Sequence, residues 1–297
     1  IRWGIIFQDV FTIIKVGLIL IFIIFGALAQ RPEIISVFPI AGDIKILFSP
    51  EFAVGLIWVS YAYTGWNSSI YVAGEIKDPN LNISKSMILA TLLVTTLYLL
   101  LNYIFLFTTP IELMKGKVEI GYIAGVQIFG HLGGKIMSIG ISIMLLSTLS
   151  SYVYIGPRIM QAMGEDHKML RSLSTKNIEG IPVKAFVIQY IISTTLILTS
   201  TFEQVLLYAG ISLIITTVFT VLALFILRIK KPNLQRRYEV IGFPITPLLY
   251  LAINAWILYY SFQKAFIESL IGCGIFLIGI ISYFVMHKLE GECKTQL

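Results

Sequence analysis

The chain has 297 residues, of which 57% are hydrophobic and only 13% charged, against about a quarter charged in an ordinary soluble domain. With a mean hydropathy of +0.87, this composition excludes a soluble globular protein and calls for lipid as solvent. The formal net charge of +6 does not mark a nucleic-acid binder, because the basic residues cluster between apolar runs, as at Arg228, Lys230, Lys231, Arg236 and Arg237.

A membrane span needs about 20 apolar residues, and the apolar runs predict about eight spans, at 5–28, 52–74, 84–109, 134–160, 183–199, 202–229, 245–262 and 266–287. Proline and polar breaks separate them, among them Arg31-Pro32-Glu33, Lys77-Asp78-Pro79, Ile181-Pro182 and Gly242-Phe243-Pro244. A short interfacial helix is expected over 121–129. Ile1 is not Met, and the first run has neither the short apolar core nor the cleavage site of a signal peptide. The chain therefore reads as a segment cut from a longer one.

The first span carries Lys15. Counted from Ile5 it lies about 15 Å deep, near the middle of a core about 30 Å thick; counted from Val10 it lies about 7 Å deep and can snorkel. A central lysine costs at least about 2.5 kcal/mol, so deep placement demands a polar partner.

The second span places Tyr61-Ala62-Tyr63-Thr64-Gly65-Trp66-Asn67-Ser68-Ser69 in the middle of an apolar run. In hydrocarbon a weakened helix is tolerable only inside protein or beside a cavity. An interruption there presents carbonyls from one half-helix and amides from the other, groups that suit a zwitterion. The alternative is that these small and polar residues only allow close helix packing. Just beyond, Glu75 is either a partner for Arg158 or a solvated loop carboxylate.

In the later spans, Gly272-Cys273-Gly274 is read as a close-packing site. Cys273 lies in an apolar run and Cys293 in a polar tail, so no disulfide is expected. His131, His167 and His287 are scattered, with no metal-ligand spacing and no nucleophile–base constellation. No catalytic residue, metal or cofactor is implied. If the spans alternate sides, one side collects most of the 22 Lys and Arg residues, including those between 158 and 184 and between 228 and 237. That side is expected to be cytoplasmic, together with both ends of this chain.

The stretch from Tyr61 to Asn67, followed by Gly74-Glu75-Ile76-Lys77-Asp78-Pro79, resembles the sixth helix and following loop of the amino acid-polyamine-organocation permeases, in particular the L-type amino acid transporters and their bacterial relatives. Gly156-Pro157-Arg158 through Asp166 resembles the end of the family's eighth helix, Phe202-Glu203-Gln204 through Gly210 the start of its tenth, and Arg237-Tyr238-Glu239 through Pro244 the loop before its eleventh. The resemblance runs in order through essentially the whole chain. It implies an all-α polytopic membrane bundle of the leucine-transporter type, a single transmembrane domain lacking the family's first four helices.

By the same resemblance, Tyr61 matches the aromatic that closes over substrate, and Ala62 and Tyr63 lie where backbone carbonyls face the substrate amine. Thr64 departs from the Gly or Asp common there, Gly65 is counted with the substrate-binding stretch, and Trp66 and Asn67 keep the family's identities. Lys15 matches a fifth-helix lysine that occupies the place of a sodium ion in sodium-coupled relatives, and Ser150 and Ser151 on the matching eighth helix are candidates to line the same place, the alternative for both being helix packing. The function implied is alternating-access transport of an amino acid or related small organic solute, coupled to a proton or a counter-substrate. The partners are then that solute, the lipid bilayer of a plasma or inner membrane, and the missing amino-terminal helices of the same chain, but no nucleic acid. The alternative is a non-transporting sensor or accessory subunit that kept the fold.

Overall fold

The computed structural model describes residues 2–29, 33, 38–71, 73, 76–234 and 239–294. Its helices, in chain order, are α1 (Arg2–Ala27), α2 (Asp43–Leu47), α3 (Pro50–Ala62), α4 (Ser68–Tyr71), α5 (Pro79–Thr108), α6 (Ile111–Met114), α7 (Ile120–Asp166), α8 (Val183–Thr199), α9 (Phe202–Lys230), α10 (Ile245–Lys264) and α11 (Phe266–Lys294), with a 3₁₀ segment at Lys168–Ser174. There is no strand among the described residues. Among the described residues, six helices are long and apolar enough to cross a membrane. The two other expected spans are α8, a shorter apolar helix, and the run over 52–74, which divides into α3 and α4. The small helices α2 and α6 and the 3₁₀ segment were not anticipated, since such short elements carry no periodic signal.

The chain forms two compact units, the first comprising Ile1–Ile40 and Lys85–Gly156. Its core joins Phe22 of α1, Ile104 of α5, and Ala124 and Met137 of α7. Phe22 meets Phe105 and Phe129 edge-on, at ring separations of 5.5 and 6.1 Å, the geometry that brings a ring's positive edge to a neighbour's negative face. Glycines set the helix spacing. Gly26 lies flush against Ile104, and a Cβ on Gly140 would come within 2.9 Å of Leu18.

Helix α7 is not straight. Gly130 has φ 73° and ψ −179°, a kink inside the helix, and the arms on either side fold back on each other. A Cβ on Gly121 would lie 2.7 Å from Ile141, and one on Gly125 would lie 3.3 Å from Met137. Along a straight helix Gly121 and Ile141 would be about 30 Å apart. The expected short helix over 121–129 is the first arm of this hairpin, and the span expected to start at 134 is its second arm, which continues to Asp166.

The second unit comprises Ala41–Ser84 and Pro157–Leu297. Here α3, α9 and α10 bury Ile57, Leu207, Ile211, Ile214 and Ile257 against one another. Gly210 lets α3 approach α9, since a Cβ there would lie 2.5 Å from Ile57. Gly272 does the same for α9 and α11, against Ile211 and the Tyr208 carbonyl, and its own carbonyl accepts a 3.0 Å bond from the Ser212 hydroxyl. Of the Gly272-Cys273-Gly274 stretch, Gly272 is thus a packing contact, whereas a Cβ on Gly274 would meet nothing within 4 Å.

Local signals fix the helix ends. Thr201 caps α9 by accepting from the Gln204 amide, while the Gln204 side chain accepts from the Thr201 amide, which satisfies two otherwise orphaned donors. Arg228 and Lys230 occupy the last turn of α9, where positive charge complements the helix dipole. At the start of α3, the Ser49 hydroxyl accepts from the Phe52 amide with Pro50 in the first turn. Glu51 beside it is bridged by Lys264 of α10 at 2.6 Å.

Candidate functional site: an interrupted helix and a polar helix pair

The interruption lies in the second unit. Helix α3 ends at Ala62, residues 63–67 form turns, and α4 restarts at Ser68. The Tyr63 and Thr64 amides donate to Ser60 and Tyr61 at 3.2 and 3.0 Å. These bonds reach back only three residues and tighten the last turn. The Thr64 hydroxyl donates to the Tyr61 carbonyl at 2.7 Å, a local bond that competes with helix continuation.

Gly65 then takes φ +100°, a conformation that glycine adopts without the cost paid by other residues. The Ser68 amide donates to the Gly65 carbonyl, and the Ile70 amide to the Asn67 carbonyl, both at 3.0 Å. Tyr61, Ala62 and Trp66 are exposed, whereas Tyr63, Thr64, Gly65 and Asn67 are half-buried. The Ser69 hydroxyl is enclosed and has no hydrogen-bond partner among the described residues. Glu75, the expected partner of Arg158, lies outside the described residues, as do Val72 and Gly74 of the same stretch.

The second candidate lies in the first unit, where α1 faces the second arm of α7. The Lys15 ammonium donates to the Thr148 hydroxyl at 3.1 Å, and that hydroxyl donates to the Met144 carbonyl at 3.0 Å. The Ser151 hydroxyl faces both Gln8 Oε1 at 2.9 Å and the Ser147 carbonyl at 3.2 Å. Ser147 is fully buried, and its hydroxyl has no partner among the described residues. Ser150 is exposed. The structure thus brings Lys15 to Thr148 and Ser151 to Gln8.

Thr148 and Gln8 were missed in the sequence. The available signal was positional: Gln8 precedes Lys15 by about two turns, and Thr148 precedes Ser151 by about one, so each pair shares a helix face. Among the described residues, no three His, Cys, Asp or Glu side chains gather as a metal site would require.

The amino acid permease family model matches residues 1–286. The chain belongs to this family. It is 24% identical over 253 residues to the serine/threonine exchanger SteT of Bacillus subtilis (strain 168), covering 82% of this chain and 56% of the relative. The mouse large neutral amino acids transporter small subunit 2 is 24% identical over 291 residues, covering 96% of this chain and 54% of the relative. The rat b(0,+)-type amino acid transporter 1 is 22% identical over 293 residues, covering 96% and 58%. The chain therefore spans about half the length of the curated relatives it matches. As a permease-family chain with six apolar helices of spanning length, it is a multi-pass membrane protein.

Proposed function

We propose that the protein transports amino acids by alternating access and that residues 61–67 form part of its substrate site. The observation carrying this reading is the interruption between α3 and α4, which places polar groups and two half-helix ends within an apolar run of a permease-family chain. An amine is recognised by carbonyl oxygens, and a carboxylate by amides, at the ends of half-helices. Tyr61 and Trp66 supply aromatic surface, and Thr64 and Asn67 supply the polar groups that distinguish side chains.

Lys15, with Ser150 and Ser151, belongs in this proposal to the coupling site, and the Thr148 hydroxyl orients the ammonium. A lysine held by a neutral hydroxyl can exchange its proton as its surroundings change, which suits proton-linked symport or exchange. The chain is read as a single transmembrane domain in a plasma membrane with cytoplasmic ends, completed by further helices of the same protein. An engineered cysteine at Ser174 should accordingly resist impermeant labels applied outside intact cells.

The direct test is uptake of labelled amino acids into liposomes containing the complete protein. Saturable flux that competing amino acids suppress, and that Tyr61→Ala weakens, is expected. Saturable binding without flux in either direction would instead make the protein a sensor.

A further inference from the structure

An open groove of about 540 Å³ runs between α9 and α11 in the second unit, lined chiefly by Thr216, Phe276, Gly279, Ile280, Tyr283 and Phe284. The two helices run in the same direction, since Ser212 reaches Gly272 at 3.0 Å and, further along both, Phe219 stacks on Phe276 at 5.1 Å. Their carboxy-terminal ends therefore emerge at the same level of the membrane. Lys230 follows Ser212 by about five full turns, which returns it to the same face of α9. Lys288 follows Phe284 by about one turn on the groove face of α11. Both lysines are exposed.

Other groups strengthen the positive character of this end. The 3₁₀ segment carrying Lys168 and Arg171 packs on α11, and His167 at its start meets the Tyr283 ring edge-on at 6.1 Å. Of the acids at this end, Glu165 already accepts from Gln161 at 2.7 Å and lies 3.9 Å from Lys176; Asp166 precedes His167, and Glu290 follows Lys288 by two residues, so basic residues remain in the majority. Arg228 is committed to the Phe243 ring, 3.8 Å away.

We infer that the α9–α11 groove seats an acyl chain of an anionic phospholipid whose phosphate is held by Lys230 and Lys288. The α11 side offers an apolar tail dispersion contacts through Ile275, Phe276, Ile280 and Phe284, and the polar groups of the lining are the Ser212, Thr216 and Tyr283 hydroxyls. The Ser212 hydroxyl is turned to the Tyr208 and Gly272 carbonyls, at 2.9 and 3.0 Å, and the Thr216 hydroxyl to the Ser212 carbonyl at 2.8 Å. The axial distance from Gly279 to Lys288 is about 14 Å, close to one leaflet of a core about 30 Å thick. A tail in the groove thus brings its headgroup to the lysines. A zwitterionic lipid would fill the groove equally but leave the added cations uncompensated, so the preference is for net negative charge. The inference does not depend on what the protein transports.

Native mass spectrometry of the complete protein tests it, with phosphatidylglycerol and phosphatidylcholine of matched chains as probes. The wild type should retain phosphatidylglycerol in preference. Lys230→Gln and Lys288→Gln should each weaken that retention about fivefold, the effect of one basic residue at an anionic surface. Gly279→Leu should displace both lipids, because a Cβ on Gly279 meets nothing within 4 Å and the new side chain fills the groove without disturbing the helices. Equal retention of the two lipids would overturn the inference. So would a preference that survives all three substitutions, or a dimer that Gly279→Leu dissociates, which would give the groove to a second copy.

Discussion

Two helices of this protein break at a glycine of positive φ, and the surroundings of the two breaks differ. At Gly130 the flanking arms are glycine-rich and apolar, and they close on each other so tightly that Gly121 and Gly134 have no room for a Cβ and Gly125 has little. At Gly65 the flanks are Thr64 and Asn67, and a Cβ would meet nothing nearer than the Ser68 hydroxyl at 3.9 Å. The first break buys packing, while the second leaves space beside polar groups. In a membrane the two outcomes are reached from the same backbone rule, because broken hydrogen bonds must be enclosed by protein or face a cavity.

The largest effect should come from filling the packed break. In Gly134→Leu the new side chain meets the Val126 side chain and lies 3.2 Å from the Val126 amide nitrogen and from the Tyr122 ring, and backbone cannot yield as a flexible tip can. A loss of about 1–3 kcal/mol is expected for such overpacking, read as a lower thermal midpoint and a broadened size-exclusion peak in detergent.

Gly65→Ala should separate the two breaks. Its cost is conformational, about 1–2 kcal/mol for an alanine forced to positive φ, and a turn that relaxes to escape it displaces the proposed substrate groups. Uptake should fall far more than thermal stability. Equal losses of stability at Gly65 and Gly134 would show that both breaks serve packing alone.

A smaller and more specific effect is expected in the polar helix pair. Lys15→Ala should flatten the pH dependence of the proposed uptake by the complete protein, and Thr148→Val should shift it partially, since a hydrogen bond to a charged group is worth about 1.5–3 kcal/mol. Unaltered uptake at every pH in Lys15→Ala would leave the lysine a structural role only.

The smallest effect belongs to the exposed bridge between Glu51 and Lys264. The Lys264 hydrogen bond, the backbone hydrogen bond and the lysine's charge hold the Glu51 carboxyl below its usual range. A depressed carboxylate stabilises the fold above its unfolded pKa, about 4.3, and that contribution is lost as pH falls through the lower folded value. Lys264→Gln should therefore lower the thermal midpoint slightly at neutral pH, with the difference from wild type vanishing in acid. Solvent screening keeps it small.

Much of the architecture was legible because membrane spans are written in long apolar runs. The break at Thr64, Gly65 and Asn67 was legible too, whereas that at Gly130 showed only as the gap between the short helix expected over 121–129 and the span expected from 134. The coupling candidate was only half legible. Serine and threonine are chemically alike along 147–151, and whether Thr148, Ser150 or Ser151 meets Lys15 depends on how α1 and α7 are rotated about their axes. The helix repeat narrows that choice but does not make it.

The sequence by itself determined the solvent, the order of the helices, the places where two of them fail and the family that shares this order. Each of these follows from local chemistry, since hydrophobicity and backbone freedom are properties of a residue and its neighbours. Only the tertiary structure decided that Lys15 meets Thr148, that Gly272 is a contact with Ile211, and that α9 and α11 leave a groove beside Gly279. Those outcomes depend on helix rotation and separation, which are set by side chains distant in the chain. Ile104 fixes the approach of Gly26 in this way, and Ile57 that of Gly210.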